Sequence, residues 1–588
     1  RANLQHLVNS TPGALVSIIT FDDTVHFYRF DPQDIQFPDQ VCMPDVDDPF
    51  IPIAPHELLK PLSQFYAQID GLLDRILSLY SMPTREHSCG GAALANSIEL
   101  LEECGGQVLY FSGQVPTLGV GAFTSNQLSY RNTNMSDIES TRSPFYKQLA
   151  ERCSPSSSSS SFSSSSTERR GVCVDVFCSA TSNGTTDASN LSLVTTKSGG
   201  HLYQYSLAPN NIDVQQLSCD VWRVLTRFTA RNCKAKIRAS KGLQVAELFA
   251  PWGKNQDLYG GGFSVPALSA DSNFIFTFTH MDQIHSKKAY VQFACLYTNA
   301  LGQGVIRVQT LGVPVANSIS NMFRHTDVDV VTSLLMRQAA LKMLRGQGHP
   351  RQSLVTSCVN MLLSYRTNCA TTTAAGQLIL PESLKMLPLF ALTMLKMPAL
   401  RTGTVKFDIR VASLVKMLAI QLPHSVTEMY PRIYSINPLP LNSGKPSGVE
   451  NHIHLPTNIS CSADKLEPDG AYLVQRGTKL FLWMFDHKNI PEGFCNDLWG
   501  LPWVPPTTDP LTLQFSDSDF SQRVQGMVRQ LRLETPGVAE MPFRVVIANT
   551  PDESFVRNCL IEDENLGEAS YVNFLCSLHR EVQLKLEN

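Results

Sequence analysis

The chain has 588 residues, a formal net charge of −4, 43% hydrophobic residues and 17% charged ones. At about 150 residues per domain this length predicts roughly four domains, each able to bury its own core, and the composition excludes a disordered chain. The near-neutral charge gives no global attraction to nucleic acid or membrane, so any electrostatic function must come from a local patch.

The longest apolar stretches, such as 386–400, contain Pro and Lys and fall short of the ~20 clean residues that span a bilayer. No signal peptide opens the chain; RANLQHLV reads as the end of an amphipathic helix, as expected of a chain cut upstream. Fifteen cysteines are scattered without a C-x-x-C pair, which predicts reduced, mostly buried thiols and no metal site.

Residues 15–206 alternate in type. VSIITF and VHFYRF read as strands around a turn at Asp22-Asp23, and apolar spacing predicts helices over 57–80 and 91–104, the second stopped by Gly105-Gly106. QVLYF (107–111), a helix at 144–152, VCVDVFC (172–178) and HLYQY (201–205) continue the alternation, which predicts an α/β domain with a mostly parallel sheet covered on both faces. The Ser run 154–166 reads as a disordered surface insertion. A helix is expected at about 211–231.

From 233 to about 315 short strands dominate, predicting an all-β sandwich or barrel. Helical spacing takes over from 327 to about 430, punctuated by Pro381, Pro388, Pro398 and Pro423. A Pro/Ser/Gly-rich linker at 437–450 leads to a last α/β segment with a hairpin-like pair (AYLVQRG, KLFLWMF), a helix (FSQRVQGMVRQLRLE) and a strand (FRVVIAN). Tyr571, Phe574, Leu575, Leu578 and Val582 line one face of a terminal helix. The expected modules are therefore 1–206, 207–318, 319–436, 437–560 and the helix 561–588.

The densest charge lies at 221–246, where Arg223, Arg227, Arg231, Lys234, Lys236, Arg238 and Lys241 occur with no Asp or Glu. Four-residue spacing predicts that Arg223, Arg227 and Arg231 share a helix face. Lys234, Lys236 and Arg238 alternate with Ala235, Ile237 and Ala239, so a strand would present the three cations on one side. Cations about 7 Å apart match an extended peptide with carboxylates at i and i+2. On composition alone a solvated sheet face and a basic helix end explain the same residues.

The phrases GALVSIITFDDTVHFYRF, PDVDDPFIPIAPHELL, GGAALANSIELLEECGGQVLYFSGQVPTLGVG, FYKQLAERC, RASKGLQV, RVQTLGVPV, YPRIYSI, KLFLWM, FSQRV and LIEDE with SYVNFL run along nearly the whole chain. In them the chain resembles the cargo-adaptor family of the COPII inner coat, the Sec-twenty-four family. The resemblance implies a multidomain fold mixing α/β, all-β and all-α parts: a von Willebrand A-like trunk, a β-sandwich or barrel, a helical domain and a gelsolin-like domain. It implies no enzyme activity, a structural zinc only in an N-terminal zinc finger that these residues do not carry, and a first trunk strand that is also missing.

The resemblance further implies a groove for acidic and hydrophobic export signals. It places basic residues on Lys236 and Arg238, flanked by Lys234 and Lys241, with an apolar wall residue on Leu296. Lys at 236 departs from the family's Arg and loses the bidentate fork. A second groove, for aromatic signals of membrane-fusion (SNARE) proteins, implies a role for Phe555, where the family often has Trp; core packing is the alternative for that ring. Arg223, Arg227 and Arg231 are expected on a membrane-facing basic surface.

Implied partners are the GTPase-activating COPII subunit, the small coat GTPase indirectly, cargo and SNARE tails and anionic membrane, but no nucleic acid. The implied location is cytoplasmic, peripheral on ER exit sites and vesicles. Of the alternatives, the GTPase-activating sister subunit would need an arginine finger, and no Arg lies between Gly477 and Gln522. A gelsolin-like actin-binding protein would leave the other domains unexplained.

Overall fold

A computed structural model describes residues 2–587 except 12, 32–37, 81–85, 124–137, 155–169, 180–184, 206–212, 253–261, 371–376, 404, 449–451, 485–492, 502–514, 536, 538–540 and 551. The Ser run thus lies almost wholly outside the described residues.

The first part opens with α1 (Ala2–Ser10) and an antiparallel sheet of β1 (Ile19–Phe21), β2 (Val25–Arg29) and β3 (Asp39–Met43). Helices α2 (Leu62–Leu79) and α3 (Gly90–Leu101) follow; α3 ends where Gly105 takes φ +70°. Strand β4 (Gly106–Ser112), helix α4 (Pro144–Arg152), β5 (Val172–Ser179), α5 (Ala188–Ser198) and β6 (Leu202–Tyr205) then build a parallel sheet in the order β4-β5-β6. Among the described residues the expected single, mostly parallel sheet is instead these two sheets and a short antiparallel pair of Leu15–Val16 with Lys60–Pro61, and Phe21 of β1 stacks on Tyr110 of β4 with centroids 5.6 Å apart. Val174, Val176, Ile98, Leu149 and Val194 form the core between β5 and its helices.

Helix α6 (Asp213–Thr226) stops short of the expected 231, and strand β7 (Thr229–Ala239) begins three residues later. β7 sits inside a four-stranded antiparallel sheet, β9 (Gly262–Ser269), β7, β11 (Lys288–Thr298), β12 (Gly304–Pro314). A second pair, β8 (Leu243–Phe249) with β10 (Ile275–His280), packs over one face. Small residues on β7 leave room between the layers for Trp252, Phe263, Phe274, Phe276 and Phe293.

The helical part comprises α7 (Val328–Leu344), α8 (Pro350–Cys369), α9 (Leu387–Lys396), α10 (Phe407–Ala419) and α11 (Leu422–Met429) around one large apolar core. It locks onto the preceding parts through polar contacts. Asp408 of α10 accepts from the backbone N–H groups of Thr186 (2.9 Å) and Ala188 (3.1 Å), capping α5 from outside its own module. Asn273 donates to the Ile420 carbonyl at 2.9 Å.

The last α/β part has a mixed sheet, β13 (Arg432–Asn437), β14 (Ala471–Arg476), β15 (Lys479–Met484) and β16 (Phe543–Ile547), the final pair parallel. Helix α12 (Asp519–Glu534) covers one face with Val524, Met527 and Leu531; α13 (Glu553–Arg557) and residues 559–561 cover the other. Helix α14 (Tyr571–Glu587) returns to the helical part, burying Phe574, Leu578 and Val582 in its core.

Candidate functional site

Along β7, period-two alternation separates two faces. Cys233, Ala235 and Ile237 are buried at 0%, 5% and 4% exposure, while Lys234, Lys236 and Arg238 are exposed. The strand pairs with β9 as far as Lys236 and with β11 through Ala239, which fixes where its outer side chains leave the sheet. Lys241 lies beyond Ser240 in the turn that leads to β8.

The register on either side fixes the neighbours of each cation. Lys234 is directly opposite Leu296 of β11 and Ser264 of β9; Lys236 is opposite Ala294 and Gly262; Arg238 is opposite Gln292. Directly opposed residues share a face of the sheet, so Leu296, 46% exposed, stands beside the cationic row. Among the described residues the ion pairs of this region use Arg223 and Arg227, and none involves Lys234, Lys236 or Arg238. Among the described residues, the outer face thus carries three positive charges with no carboxylate partner, next to apolar surface.

The next strand, VIRVQTLGV, is found where the sequence places it, but the exposure of its aliphatic side chains was not foreseen. On β12, Ile306 pairs with Leu296 and Val308 with Ala294, and both are exposed, at 69% and 53%. The signal was present in VIRVQTLGV, where apolar residues occur at both parities, which a strand with one solvated face does not need.

The expected membrane-facing trio is corrected. Arg227 lies past the end of α6 and is 6% exposed; its Nη2 donates to Asp175 Oδ1 at 2.8 Å in the centre of the parallel sheet. Arg223 donates to Asp271 Oδ1 at 2.6 Å and is half-buried. Arg231 lies on β7 with Ala267 opposite it, so the three do not share a helix face. Residue spacing placed them on one helix because it did not register the helix end at Thr226. The buried carboxylate that recruits Arg227 is 52 residues away in sequence, beyond the reach of local pattern.

Phe555 lies on α13 in the last α/β part, separate from the basic strand. It is 45% exposed, whereas Val556 beside it is fully buried, so the ring is surface and not core. Its short helix is held by Glu553, which accepts from the Asn549 N–H at 2.9 Å and pairs with Arg557. The segment that follows is clamped by Lys396 Nζ, which donates to the carbonyls of Ile561 (2.8 Å) and Asp563 (2.5 Å).

Among the described residues no group of three or more His, Cys, Asp or Glu could hold a metal ion, and no helix is long and apolar enough to cross a membrane.

This architecture defines a multidomain protein whose sandwich sheet carries a basic strand face. Residues 1–225 match the family model for the Sec23/Sec24 trunk domain, 230–316 that for the Sec23/Sec24 beta-sandwich domain and 327–427 that for the Sec23/Sec24 helical domain. The matches together run over most of the chain, which belongs to the Sec23/Sec24 family.

Similar proteins include protein transport protein SEC24 B of Arabidopsis thaliana, 27% identical over 589 residues, and protein transport protein Sec24A of Homo sapiens, 28% identical over 581 residues. These alignments cover 98% and 96% of this chain and 50% of each relative, so the chain spans about half the length of the curated relatives it matches. The crystal structure of the human COPII-coat protein Sec24c shares the fold, with a TM-score of 0.80 at 23% identity, over 99% of this chain and 75% of that one.

Proposed function

We propose that this chain is a cargo adaptor of the COPII coat, acting by recognition and not catalysis, and that the outer face of its sandwich sheet takes acidic export signals on cytosolic tails. The observation that carries the reading is the row Lys234, Lys236, Arg238, exposed, without carboxylate partners among the described residues, and bordered by Leu296.

An extended tail with carboxylates at i and i+2 spans about the 7 Å between alternate strand residues. Each charge-assisted contact contributes roughly 1.5–3 kcal/mol. Single tails would bind weakly, and polymerisation of the coat would make many contacts simultaneous. Phe555 is the candidate contact for aromatic signals of SNARE proteins, its surface exposure being what such a role requires.

Pairing with a GTPase-activating coat subunit, indirect engagement of the small coat GTPase and peripheral residence on ER exit-site membranes complete the reading. All three rest on kinship with Sec24 transport proteins. Any membrane-facing basic surface is formed without Arg227, and Arg223 is engaged by Asp271.

The test is fluorescence anisotropy of a labelled tail peptide containing Asp-x-Glu, against the intact chain and a Lys236→Glu, Arg238→Glu variant. Salt-sensitive binding lost in the folded variant supports the reading; equal binding by both proteins, or by neither, removes the site.

A further inference from the structure

Near the start of β7 its ladder with β11 is irregular. Lys234 is opposite Leu296 and Arg231 is opposite Thr298, so two residues of β7, Asn232 and Cys233, face the single residue Tyr297. This is a β-bulge, and Asn232 takes a left-handed φ of +51°. Asn232 Oδ1 accepts from the Gly171 N–H at 2.7 Å, just before β5, so the bulge is also a seam between the sandwich and the parallel sheet.

Cys233 and Cys295 both lie in the sandwich core, at 0% and 5% exposure. Cys295 is opposite Ala235, which makes Cys233 its diagonal neighbour. On a regular ladder diagonal neighbours are about 7–8 Å apart, whereas the Cα atoms of a disulfide lie about 5.5–6 Å apart. The bulge bends β7 at this point, and the two thiols hydrogen-bond to each other. Holding the shared proton raises the Cys233 thiol, and accepting it lowers Cys295. By contrast Cys153, Cys178, Cys461 and Cys559 donate to backbone carbonyls.

We infer that Cys233 and Cys295 are an oxidative modification site, a thiol pair that a hydroperoxide converts to a disulfide across β7 and β11. The Cys295 thiolate attacks one peroxide oxygen, the O–O bond breaks, and a sulfenic acid and hydroxide form. The Cys233 sulfur then attacks the sulfenic sulfur; the S–S bond forms as the S–O bond breaks, and water leaves with the Cys233 proton. The hydroxide takes the Cys295 proton, so two thiols lose two electrons and one hydrogen peroxide becomes two waters. Cys233 immediately precedes Lys234, so the cross-link ties the first cation of the row to the strand that carries Leu296. The inference is independent of the adaptor reading.

The experiment treats the folded, intact chain with hydrogen peroxide, removes the peroxide, and unfolds the chain in N-ethylmaleimide before proteolysis without reductant. Mass spectrometry is expected to find the Cys233 and Cys295 peptides joined, with equal loss of label at both positions, and dithiothreitol is expected to restore both. In a Cys295→Ala variant Cys233 is expected to keep its label. The intact-chain result needs no variant, which guards against misfolding of the substituted core.

Oxidation of the exposed Cys42 and Cys576 shows that the peroxide dose suffices. Full label on Cys233 and Cys295 at that dose means that the pair only packs, and overturns the inference. A link from either residue to another cysteine, or loss of the Cys233 label in the variant, overturns it equally.

Discussion

Arg227 Nη2 lies 2.8 Å from Asp175 Oδ1, and the two side chains are 1% and 0% exposed. Arg227 also reaches Asp271 at 3.2 Å, and Asp175 accepts from the His201 N–H at 2.9 Å and from Gln107 Nε2 at 2.7 Å. One ion pair thus ties the parallel sheet to the start of the sandwich. A charge counted as surface in the sequence is an interior strut.

Removing one partner of a buried pair leaves the other uncompensated and costs about 3–5 kcal/mol. Arg227→Met is therefore expected to lower the urea midpoint sharply, whereas Lys236→Glu, Arg238→Glu on the solvated face is expected to leave it almost unchanged. Burial pushes the Asp175 carboxyl upward, and Arg227, His201 and Gln107 outweigh it, holding it at about 2. Its folded value is below the unfolded one, so this contribution is full above about pH 4 and is lost as pH falls toward 2.

Asp220 has the opposite sign. Burial raises its carboxyl to about 6 despite hydrogen bonds from Tyr205 and Gln216. The folded state holds this proton more tightly than the unfolded chain, so stability falls as pH rises from about 4 to 6. Asp220→Asn, which keeps an acceptor for Tyr205, is expected to be more stable than the parent at pH 7 and equal to it near pH 4. Thermal midpoints across that range check this.

Lys396 is 2% exposed, and burial lowers its pKa to about 8. Its two bonds to the carbonyls of Ile561 and Asp563 hold residues 561–563 against α9. Lys396→Met removes both bonds and leaves the acceptors without their donor, at a cost of about 1.5–3 kcal/mol each. Hydrogen exchange is expected to rise first in the segment 561–571, before the core of α9 opens.

Phe555→Ala separates surface from core. A buried Phe costs about 3–5 kcal/mol on truncation, while a surface side chain changes stability by about 0.5 kcal/mol. The variant is expected near the lower figure, and its binding to an aromatic SNARE tail peptide is expected to fall while acidic-peptide binding is unchanged.

How much of this was legible in the sequence depended on whether a local rule governed each element. The alternation of Lys234 to Arg238 with small apolar residues predicted the faces of β7, because period-two patterning is a direct consequence of strand geometry. Helix α12 and the β14–β15 hairpin followed from spacing in the same way.

Helix α5 was invisible. ASNLSLVTTKS has no apolar stripe, yet most of it is buried; Ser192, Thr195 and Ser198 donate their hydroxyls to carbonyls within the helix, Ser198 Oγ also accepts from the Val174 N–H of β5, and Asp408 caps the start from another module. The role of Arg227 was equally hidden, since its partner is set by tertiary packing. Ile306 and Val308 went unremarked because their meaning depends on the register with Leu296 and Ala294, which no single strand reveals.

The central claim, that the row on β7 contacts acidic signals directly, is tested most sharply by charge exchange. The Lys236→Glu, Arg238→Glu variant is titrated with the Asp-x-Glu tail peptide and with its Lys-x-Lys counterpart, beside the intact chain. Direct contact predicts that the intact chain binds only the acidic peptide and the variant only the basic one, both interactions weakening with salt. A variant that still binds the acidic peptide, or gains nothing for the basic one, contradicts the account.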